Sequence, residues 1–406
     1  MNVVHINTFY YLGGSTGKIA YLLMKSAKER KWNAYIVYGK NKGEIIDSSS
    51  ILISGNYYKK INELKARILG NHGFNNIISS NKAIEYLKNI KPDVIHLHNL
   101  HGSYINLEML FAYIRKEKIP VVWTLHDCWS FTGRCAYYDF NNCSEWKCGC
   151  TNCKYKKEYP VSWISNDTAT NFVRKRNIYD LMSNITIVTP SKWLYNELSY
   201  SILKNHKKVI INNGIDLTVY KPTGSRIKEN NNIEKMMLAV AYNWTEQKGF
   251  KHIIEISKVI KKPWTLVVIG VSDFQNELIK NEGVIGINKL SDERELVKWY
   301  SSADVFINPT LEDNFPTVNI EALACGTPCI TFDSGGAGEI VTELTGKVIE
   351  KNDWKGLLKE ALNTNKKSMS GYCRQRAMEM YDKEKMIDKY FDIYEKAIKC
   401  AKKEII

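Results

Sequence analysis

Short apolar runs alternate with helix-like segments through the 406-residue chain, and this alternation constrains the fold more than any other feature. In the first half the runs lie at residues 3–6, 33–38, 94–98, 121–124 and 185–188. We interpret each run as a strand, because turn formers and segments with apolar residues at helical spacing separate them. Strands that alternate with helices predict a mainly parallel sheet.

The alternation ends near residue 216 and then starts again. Between the two sets lies a polar run at 228–235, which we predict to be an exposed loop. The second set of predicted strands covers residues 236–240, 264–269, 283–286, 305–308 and 328–332. A segment at 385–403 has the apolar spacing of a long amphipathic helix. The sequence therefore predicts two doubly wound α/β units and a final helix.

Length and composition exclude several classes of protein. The 406 residues are enough for two or three domains with full-sized cores. We expect no membrane span, because no run of about 18 apolar residues occurs. We expect a cytoplasmic protein, because the first residues lack the basic start and long apolar stretch of a signal peptide. The formal net charge of +14 favours anionic partners, such as nucleotide sugars, nucleic acid or an anionic membrane surface.

The most specific motif lies at residues 308–328, directly after a predicted strand. Asp313 lies in the loop after this strand, and Glu321 lies in a predicted helix at 318–324. Open α/β sheets bind ligands outside the carboxyl ends of their strands, so both carboxylates are placed to accept hydrogen bonds from hydroxyl groups. Two carboxylates alone are more often surface charges, and it is the whole motif that favours ligand binding.

Three turns between a strand and a helix could bind phosphate. Gly13 and Gly14 lie in the first turn, where glycine permits a close backbone approach, although a glycine pair alone is weak evidence. Lys248 lies in the second turn, and an ammonium near a helix N-terminus suits a diphosphate. A solvated lysine is the alternative. The third turn, 335–338, precedes Glu339, which fits a simple carboxylate at a helix N-terminus equally well.

Histidines and cysteines form two clusters. His96 and His98 share one face of a predicted strand and His101 follows them, so three imidazoles lie close together. A metal site is one interpretation, but we favour substrate contacts for His98 or His101, because strand histidines more often pack or form hydrogen bonds.

Six of the ten cysteines lie in one stretch of the first half, with aromatic residues between them. A reducing cytosol argues against disulfides, and the last two of the six have the Cys-x-x-Cys spacing of a zinc knuckle. Our hypothesis is a structural zinc ion bound by Cys135, Cys143, Cys150 and Cys153, with Cys148 as a substitute ligand. A set of buried free thiols is the alternative.

These motifs resemble the retaining glycosyltransferases of family 4, which have the GT-B fold. The family motif is Glu, seven residues, Glu, and here Asp313 takes the first position. The resemblance covers almost the whole chain and is strongest at 209–345. The stretch His-Asp-Cys-Trp at 126–129, with several cysteines, is similar to a subset from bacterial exopolysaccharide clusters. The resemblance implies two Rossmann-like domains that face a cleft: an N-terminal acceptor domain at 1–207 with a Cys-rich insertion at about 128–160, a donor domain at 208–384, and a helix at 385–406 that crosses back to the N-terminal domain.

The resemblance also implies a role for particular residues. Asp313 would orient the hydroxyls of the donor sugar, Glu321 would hold the ribose, and His126 would lie near the sugar. The implied catalytic residues are His126, Asp313 and Lys248. The implied donor-binding residues are Gly13, Gly14, Asn243, Lys248, Asp313, Asn314, Phe315 and Glu321. The family usually has an arginine at the position of Asn243, so Lys248 or another basic residue must neutralise more of the diphosphate charge.

The implied reaction moves a sugar, with retention of configuration, from a nucleotide-diphosphate-sugar donor to a glycan acceptor. We expect a lipid-linked acceptor, bacterial surface polysaccharide as the product, and no cofactor for catalysis. Peripheral contact with an anionic membrane is a further hypothesis, based on the basic runs at 154–157 and 174–176, although such runs are usually solvated. Two rivals remain: a nucleic-acid-binding protein built on the cysteine cluster, and a nucleotide-sugar epimerase of the same fold. We expect no nucleic-acid partner, because the basic residues are spread along the chain.

Overall fold

Parallel strands run through both halves of the chain in the computed structural model, and the chain divides into two units. The first unit contains residues 1–190, 194–211 and 387–406, and the second contains 191–193 and 212–386. The residues that the structure describes are 1–10, 14–41, 48–151, 153–155, 157–165, 167–225, 227–290 and 292–403.

The first unit is built on a seven-stranded sheet in which all neighbouring strands pair in parallel. The strands are β1 (Asn2–Phe9), β2 (Asn33–Lys40), β3 (Ser50–Leu52), β4 (Val94–Leu97), β5 (Val121–Thr124), β6 (Ile185–Thr189) and β7 (Lys207–Ile210). Their order across the sheet is β3-β2-β1-β4-β5-β6-β7. The central strands β4, β5 and β6 are buried along their whole length, which is typical of a parallel sheet with both faces covered.

Helices connect these parallel strands. They are α1 (Ser15–Glu29), α2 (Asn56–Leu69), α3 (Ile77–Ile90), α4 (Leu107–Lys116), α5 (Thr168–Asp180) and α6 (Lys192–Glu197). The first two residues of α6, Lys192 and Trp193, belong to the second unit. Between β5 and α5 the described residues contain one 3₁₀ helix, Glu145–Lys147, and no strand. This stretch contains the predicted Cys-rich insertion.

The second unit has a six-stranded parallel sheet with the order β10-β9-β8-β11-β12-β13. The strands are β8 (Lys235–Val240), β9 (Trp264–Ile269), β10 (Val284–Ile287), β11 (Val305–Asn308), β12 (Cys329–Phe332) and β13 (Gly346–Ile349). The helices are α7 (Ile227–Asn230), α8 (Phe250–Val259), α9 (Asp273–Ile279), α10 (Glu293–Ser302), α11 (Thr317–Ala324), α12 (Trp354–Asn363) and α13 (Lys366–Met380). The central strands β11 and β12 are fully buried.

The predicted loop at 228–235 is wrong in part, because α7 covers its first residues and β8 begins at Lys235. Two contacts order this polar run. Ile233 is buried, and Lys228 forms an ion pair with Asp304 at 3.0 Å. Neither the burial of Ile233 nor the ion pair can be predicted from the local sequence. The polarity of the run alone therefore predicted an exposed loop.

The last helix, α14 (Lys383–Lys403), starts within two residues of its predicted beginning. From Ile387 onward it belongs to the first unit. Its buried tyrosines Tyr390 and Tyr394 form hydrogen bonds with Thr124 and His96. In the described part of the chain, no helix combines the length and apolar composition needed to cross a membrane.

Candidate active site

The loop after β11 brings Asp313 to Lys248. Lys248 Nζ donates to Asp313 Oδ2 at 2.5 Å, although the two residues are 65 positions apart in the sequence. They meet because β8 and β11 are neighbours in the sheet, so the loops at their carboxyl ends emerge at the same edge. The lysine side chain is 37% exposed and the aspartate 19%, so a ligand can reach both groups.

A glycine turn packs against the loop that contains Asp313. Gly336 N donates to the carbonyl oxygen of Asp313 at 3.2 Å. A Cβ at Gly335 would lie 1.9 Å from that same oxygen, so only glycine allows the two backbones to approach so closely. The turn at 335–338 therefore positions Asp313, and the amide of Gly336 is already used for this purpose.

Glu339, which follows the glycine turn, caps a helix. Its carboxylate oxygens accept hydrogen bonds from Lys192 N at 2.8 Å and Trp193 N at 2.6 Å. These two amides are at the start of α6, where the first N–H groups have no partner within the helix. Of the two interpretations of Glu339, the structure supports the carboxylate at a helix N-terminus.

Glu321 is the one charged residue of α11, whose other residues are apolar apart from Thr317 and Asn319. Its Oε2 accepts a hydrogen bond from Tyr300 OH at 3.0 Å. Burial, with a contribution from the Glu321 charge, raises the pKa of Tyr300 well above its ordinary value, so this phenol remains a donor. The glutamate itself is half-buried, and Tyr300 fixes one side of its carboxylate.

The other predicted donor-binding residues of this unit differ in exposure. The side chain of Asn314 is buried and accepts from Ser191 Oγ at 2.7 Å, and Phe315 belongs to the hydrophobic core. Phe315 can therefore contact a donor only through its backbone, although its N–H already bonds to Asp313 Oδ1 at 3.2 Å. Asn243 is exposed.

In the first unit, His126 ends a chain of three imidazoles. His126 Nε2 lies 3.1 Å from His98 Nδ1, and His98 Nε2 lies 3.2 Å from His5 Nδ1. Burial lowers the pKa of His126 to about 4 and that of His5 to about 3, and it also lowers the pKa of His98. At neutral pH all three rings are therefore uncharged, and each carries one N–H group.

The neutral rings fix one another's tautomers. Only two sets of tautomers allow both hydrogen bonds, because each bond needs one N–H donor and one unprotonated nitrogen as acceptor. In the first set, His5 donates to His98 and His98 donates to His126. In the second set, His126 donates to His98 and His98 donates to His5. His5 Nε2 is buried without a hydrogen-bond partner, and a buried N–H without a partner is costly. The first set is therefore favoured, and it leaves His126 with its proton on Nδ1.

The other two histidines of the predicted cluster also have protein partners. His96 contacts Tyr394 OH at 2.6 Å and Thr124 Oγ1 at 2.8 Å. His101 contacts Tyr159 OH at 2.9 Å and Asp127 Oδ2 at 2.8 Å. Both ring nitrogens of His98 and of His101 are thus used by protein groups, which does not support the predicted substrate contacts.

His5 was missed by the sequence analysis, although β1 pairs it directly with His96. Ligand atoms of His5, His96 and His98 lie within 4.8 Å of one another, a separation at which they could hold a metal ion. Among the described residues no other group of three or more His, Cys, Asp or Glu side chains does so. We assign these rings to a hydrogen-bond network, because both nitrogens of His96 and of His98 are already bonded to protein groups.

The remaining predicted site residues are a glycine pair and four cysteines. Gly14 has φ of +119°, and a Cβ there would meet open space, so the constraint at this position is conformational. Gly13 lies outside the described residues. All the cysteines are free thiols in the structure, and the four predicted zinc ligands are buried or half-buried.

Comparison with known proteins decides the family. The model "Glycosyltransferase Family 4" matches residues 20–219, and the model "Glycosyl transferases group 1" matches residues 234–364. The chain belongs to the family 4 and group 1 glycosyltransferases. It is 25% identical over 420 residues to the putative colanic acid biosynthesis glycosyl transferase WcaC of Escherichia coli K12, covering 97% of this chain and 100% of that protein.

Solved structures with low sequence identity to this chain show its fold. Sucrose-phosphate synthase from Thermosynechococcus elongatus superposes with a TM-score of 0.70 at 14% identity, covering 98% of this chain and 100% of that one. Anabaena HepE, solved with UDP and glucose, gives a TM-score of 0.65 at 12% identity, covering 98% and 100% of the two chains. The predicted GT-B fold, with two parallel-sheet α/β units, is confirmed.

Proposed function

We propose that this glycosyltransferase moves a sugar from a nucleotide-diphosphate-sugar donor to a hydroxyl of a glycan, with retention, in the synthesis of a bacterial surface polysaccharide. The observation that carries the proposal is the contact between Lys248 and Asp313 at the carboxyl ends of β8 and β11. One ion pair offers a cation to the donor diphosphate and a hydrogen-bond acceptor to the sugar hydroxyls. Glu321, held by Tyr300, would accept the ribose hydroxyls.

The reaction itself needs positioning and charge stabilisation more than a protein base. The acceptor oxygen bonds to the anomeric carbon on the face from which the diphosphate departs, and a diphosphate oxygen takes the acceptor proton. Negative charge grows on the diphosphate as its bond to the sugar breaks, and Lys248 would stabilise that charge. His126, with its proton on Nδ1, would donate a hydrogen bond to the donor sugar.

The named relatives support the polysaccharide context. WcaC is named for colanic acid biosynthesis, and a second relative, CapM of Staphylococcus aureus, is named for capsular polysaccharide biosynthesis. The HepE structures contain UDP and glucose or UDP-glucose, which supports a nucleotide-sugar donor. A lipid-linked acceptor, a cytoplasmic location and contact with the inner membrane surface remain parts of the proposal. Lys175 is fully buried and Arg174 forms two hydrogen bonds with Glu108, which leaves Arg176 as the exposed residue of the run at 174–176.

A thermal-shift screen of the purified protein against nucleotides tests the proposal. UDP, GDP and ADP are compared with their sugar conjugates and with the matching monophosphates. A nucleotide present at 100 times its dissociation constant should add about 2.7 kcal/mol of stability. We expect stabilisation by one nucleotide base, and less by its monophosphate, because Lys248 would lose its diphosphate contact. Stabilisation by short nucleic acid and by none of the nucleotides would contradict the proposal and favour the nucleic-acid-binding rival.

A further inference from the structure

The Cys-rich stretch of the first unit contains N–H groups aimed at sulfur atoms. Gly133 N donates to Cys150 Sγ at 3.1 Å. Cys143 Sγ accepts a hydrogen bond from the backbone N–H of Glu145, and Cys153 Sγ accepts one from that of Tyr155. In the last two cases the donor lies two residues after the cysteine. N–H groups that point at sulfur favour the thiolate, which is the form that binds a metal.

Two buried cations lie beside the same thiols. The side chains of Arg134 and Lys175 are 1% and 0% exposed. Arg134 Nη2 lies 3.7 Å from Cys153 Sγ, and electrostatic contact joins Lys175 to the Cys150 and Cys135 thiols. Lys175 Nζ donates to the carbonyl oxygens of Trp129 and Thr132 at 2.5 and 3.0 Å.

The hydrogen bonds of Lys175 go to uncharged carbonyl oxygens, and the acidic groups in electrostatic contact with it are Asp127 and the Cys150 and Cys135 thiols. In the described part of the chain it forms no ion pair with a carboxylate. A buried ammonium without a compensating charge is strongly destabilising. A zinc ion with four thiolates carries a net charge of −2, and Arg134 and Lys175 together carry +2. The two buried cations therefore match the charge of a tetrathiolate zinc centre.

We propose that Cys135, Cys143, Cys150 and Cys153 bind a structural zinc ion that holds the Cys-rich stretch together. In the structure Cys135 and Cys153 are in hydrogen-bond contact, and no three sulfur atoms of the described cysteines lie within 4.8 Å of one another. Zinc–sulfur bonds of about 2.3 Å place sulfur atoms roughly 3.8 Å apart, so binding draws the thiols inward. Four Zn–S bonds form, and the protons of the thiols pass to solvent.

The chain offers a matched pair of variants for the test. Cys150→Ser removes a proposed ligand, whereas Cys400→Ser changes an exposed cysteine of α14, outside the Cys-rich stretch. Protein is produced with zinc in the medium and purified under reducing conditions, and its zinc content is measured by mass spectrometry. We expect about one zinc ion per chain in the unaltered protein and in Cys400→Ser, and less than about a tenth of that in Cys150→Ser.

A second measurement uses the unaltered protein, so it does not depend on whether Cys150→Ser folds. Thiol alkylation is mapped by peptide mass spectrometry before and after a strong chelator. Protection of Cys135, Cys143, Cys150 and Cys153 that the chelator removes supports the site. Zinc well below one per chain, equal zinc in the two variants, or a Cys135–Cys153 disulfide in place of the ion would overturn the proposal. None of these readouts requires glycosyl transfer, so the test is independent of the proposed function.

Discussion

At the scale of single residues, the candidate site depends on contacts between residues that are distant in the sequence. The motif at 308–328 and the turn before α8 predicted Asp313 and Lys248 as separate ligand contacts. Their ion pair could not be predicted, because it depends on the order of strands in the sheet. The partners of Glu321 and His126 were missed for the same reason: Tyr300 and His98 lie on other elements.

The role of Glu321 gives the first residue-scale prediction. Glu321→Gln keeps the shape of the side chain and removes its charge. Losing a hydrogen bond to a charged group costs about 1.5–3 kcal/mol, so the nucleotide dissociation constant should rise about ten- to a hundredfold. Isothermal titration with the nucleotide found in the thermal-shift screen measures this change. Glu295→Gln, at an exposed position of α10, is the control, and equal affinity in both variants would exclude Glu321 from the nucleotide site.

Asp313 should affect turnover more than nucleotide binding, because its proposed contact is with the sugar being transferred. Asp313→Asn should lower kcat about ten- to a hundredfold while the dissociation constant of the nucleoside diphosphate stays nearly unchanged. Steady-state kinetics and titration on the same preparation separate the two effects. Asp180→Asn, an exposed carboxylate at the end of α5, serves as the control. If Asp313→Asn loses nucleotide affinity and turnover in equal proportion, the sugar assignment is wrong.

At the scale of elements, the start of α8 is placed by a glycine. Gly249 has φ of +79°, and a Cβ there would lie 1.9 Å from the carbonyl oxygen of Pro309, in the loop that leads to Asp313. Gly249→Ala should therefore destabilise the second unit by at least about 1–3 kcal/mol, measured by denaturant unfolding. Gly371→Ala, in α13, meets open space and should be neutral or stabilising by about 0.4–1 kcal/mol. Equal effects of the two changes would show that the close approach of Gly249 to Pro309 is unimportant.

The buried histidines within or just after β1, β4 and β5 predict acid sensitivity of the first unit. Burial lowers the pKa of His5 to about 3 and of His126 to about 4, and it lowers the pKa of His96 and His98 as well. In the unfolded chain these pKa values return to about 6.5. Between about pH 6.5 and 4 the unfolded state thus binds more protons, so stability falls as the pH falls, by about 1.4 kcal/mol per pH unit for each histidine.

Urea unfolding monitored at several pH values across this window measures the slope. In His5→Asn one titrating imidazole is absent, and the amide can still donate to His98. The slope should therefore decrease by about 1.4 kcal/mol per pH unit. A stability that does not change between about pH 6.5 and 4 would contradict the buried, neutral state of these rings.

At the scale of the whole molecule, strand–helix alternation was sufficient to predict the fold class. The predicted strands match β1, β2, β4–β6 and most of the second sheet, because buried parallel strands are short continuous apolar runs. The short strands β3, β7 and β13 were missed, since all three have partly exposed or polar residues and little pattern. The order of the strands in each sheet could not be predicted from the sequence either, because it depends on how the crossover helices pack.

The central claim is that the protein transfers a sugar from a nucleotide sugar to a glycan acceptor. The most direct measurement incubates it with the nucleotide sugar that stabilises it and with lipid-linked glycans extracted from capsule-producing bacteria, followed by mass spectrometry. We predict glycans heavier by one sugar residue and an equal amount of nucleoside diphosphate, both strongly reduced with Asp313→Asn. Conversion of the nucleotide sugar to an isomer without any change in the glycans would contradict this account and identify an epimerase.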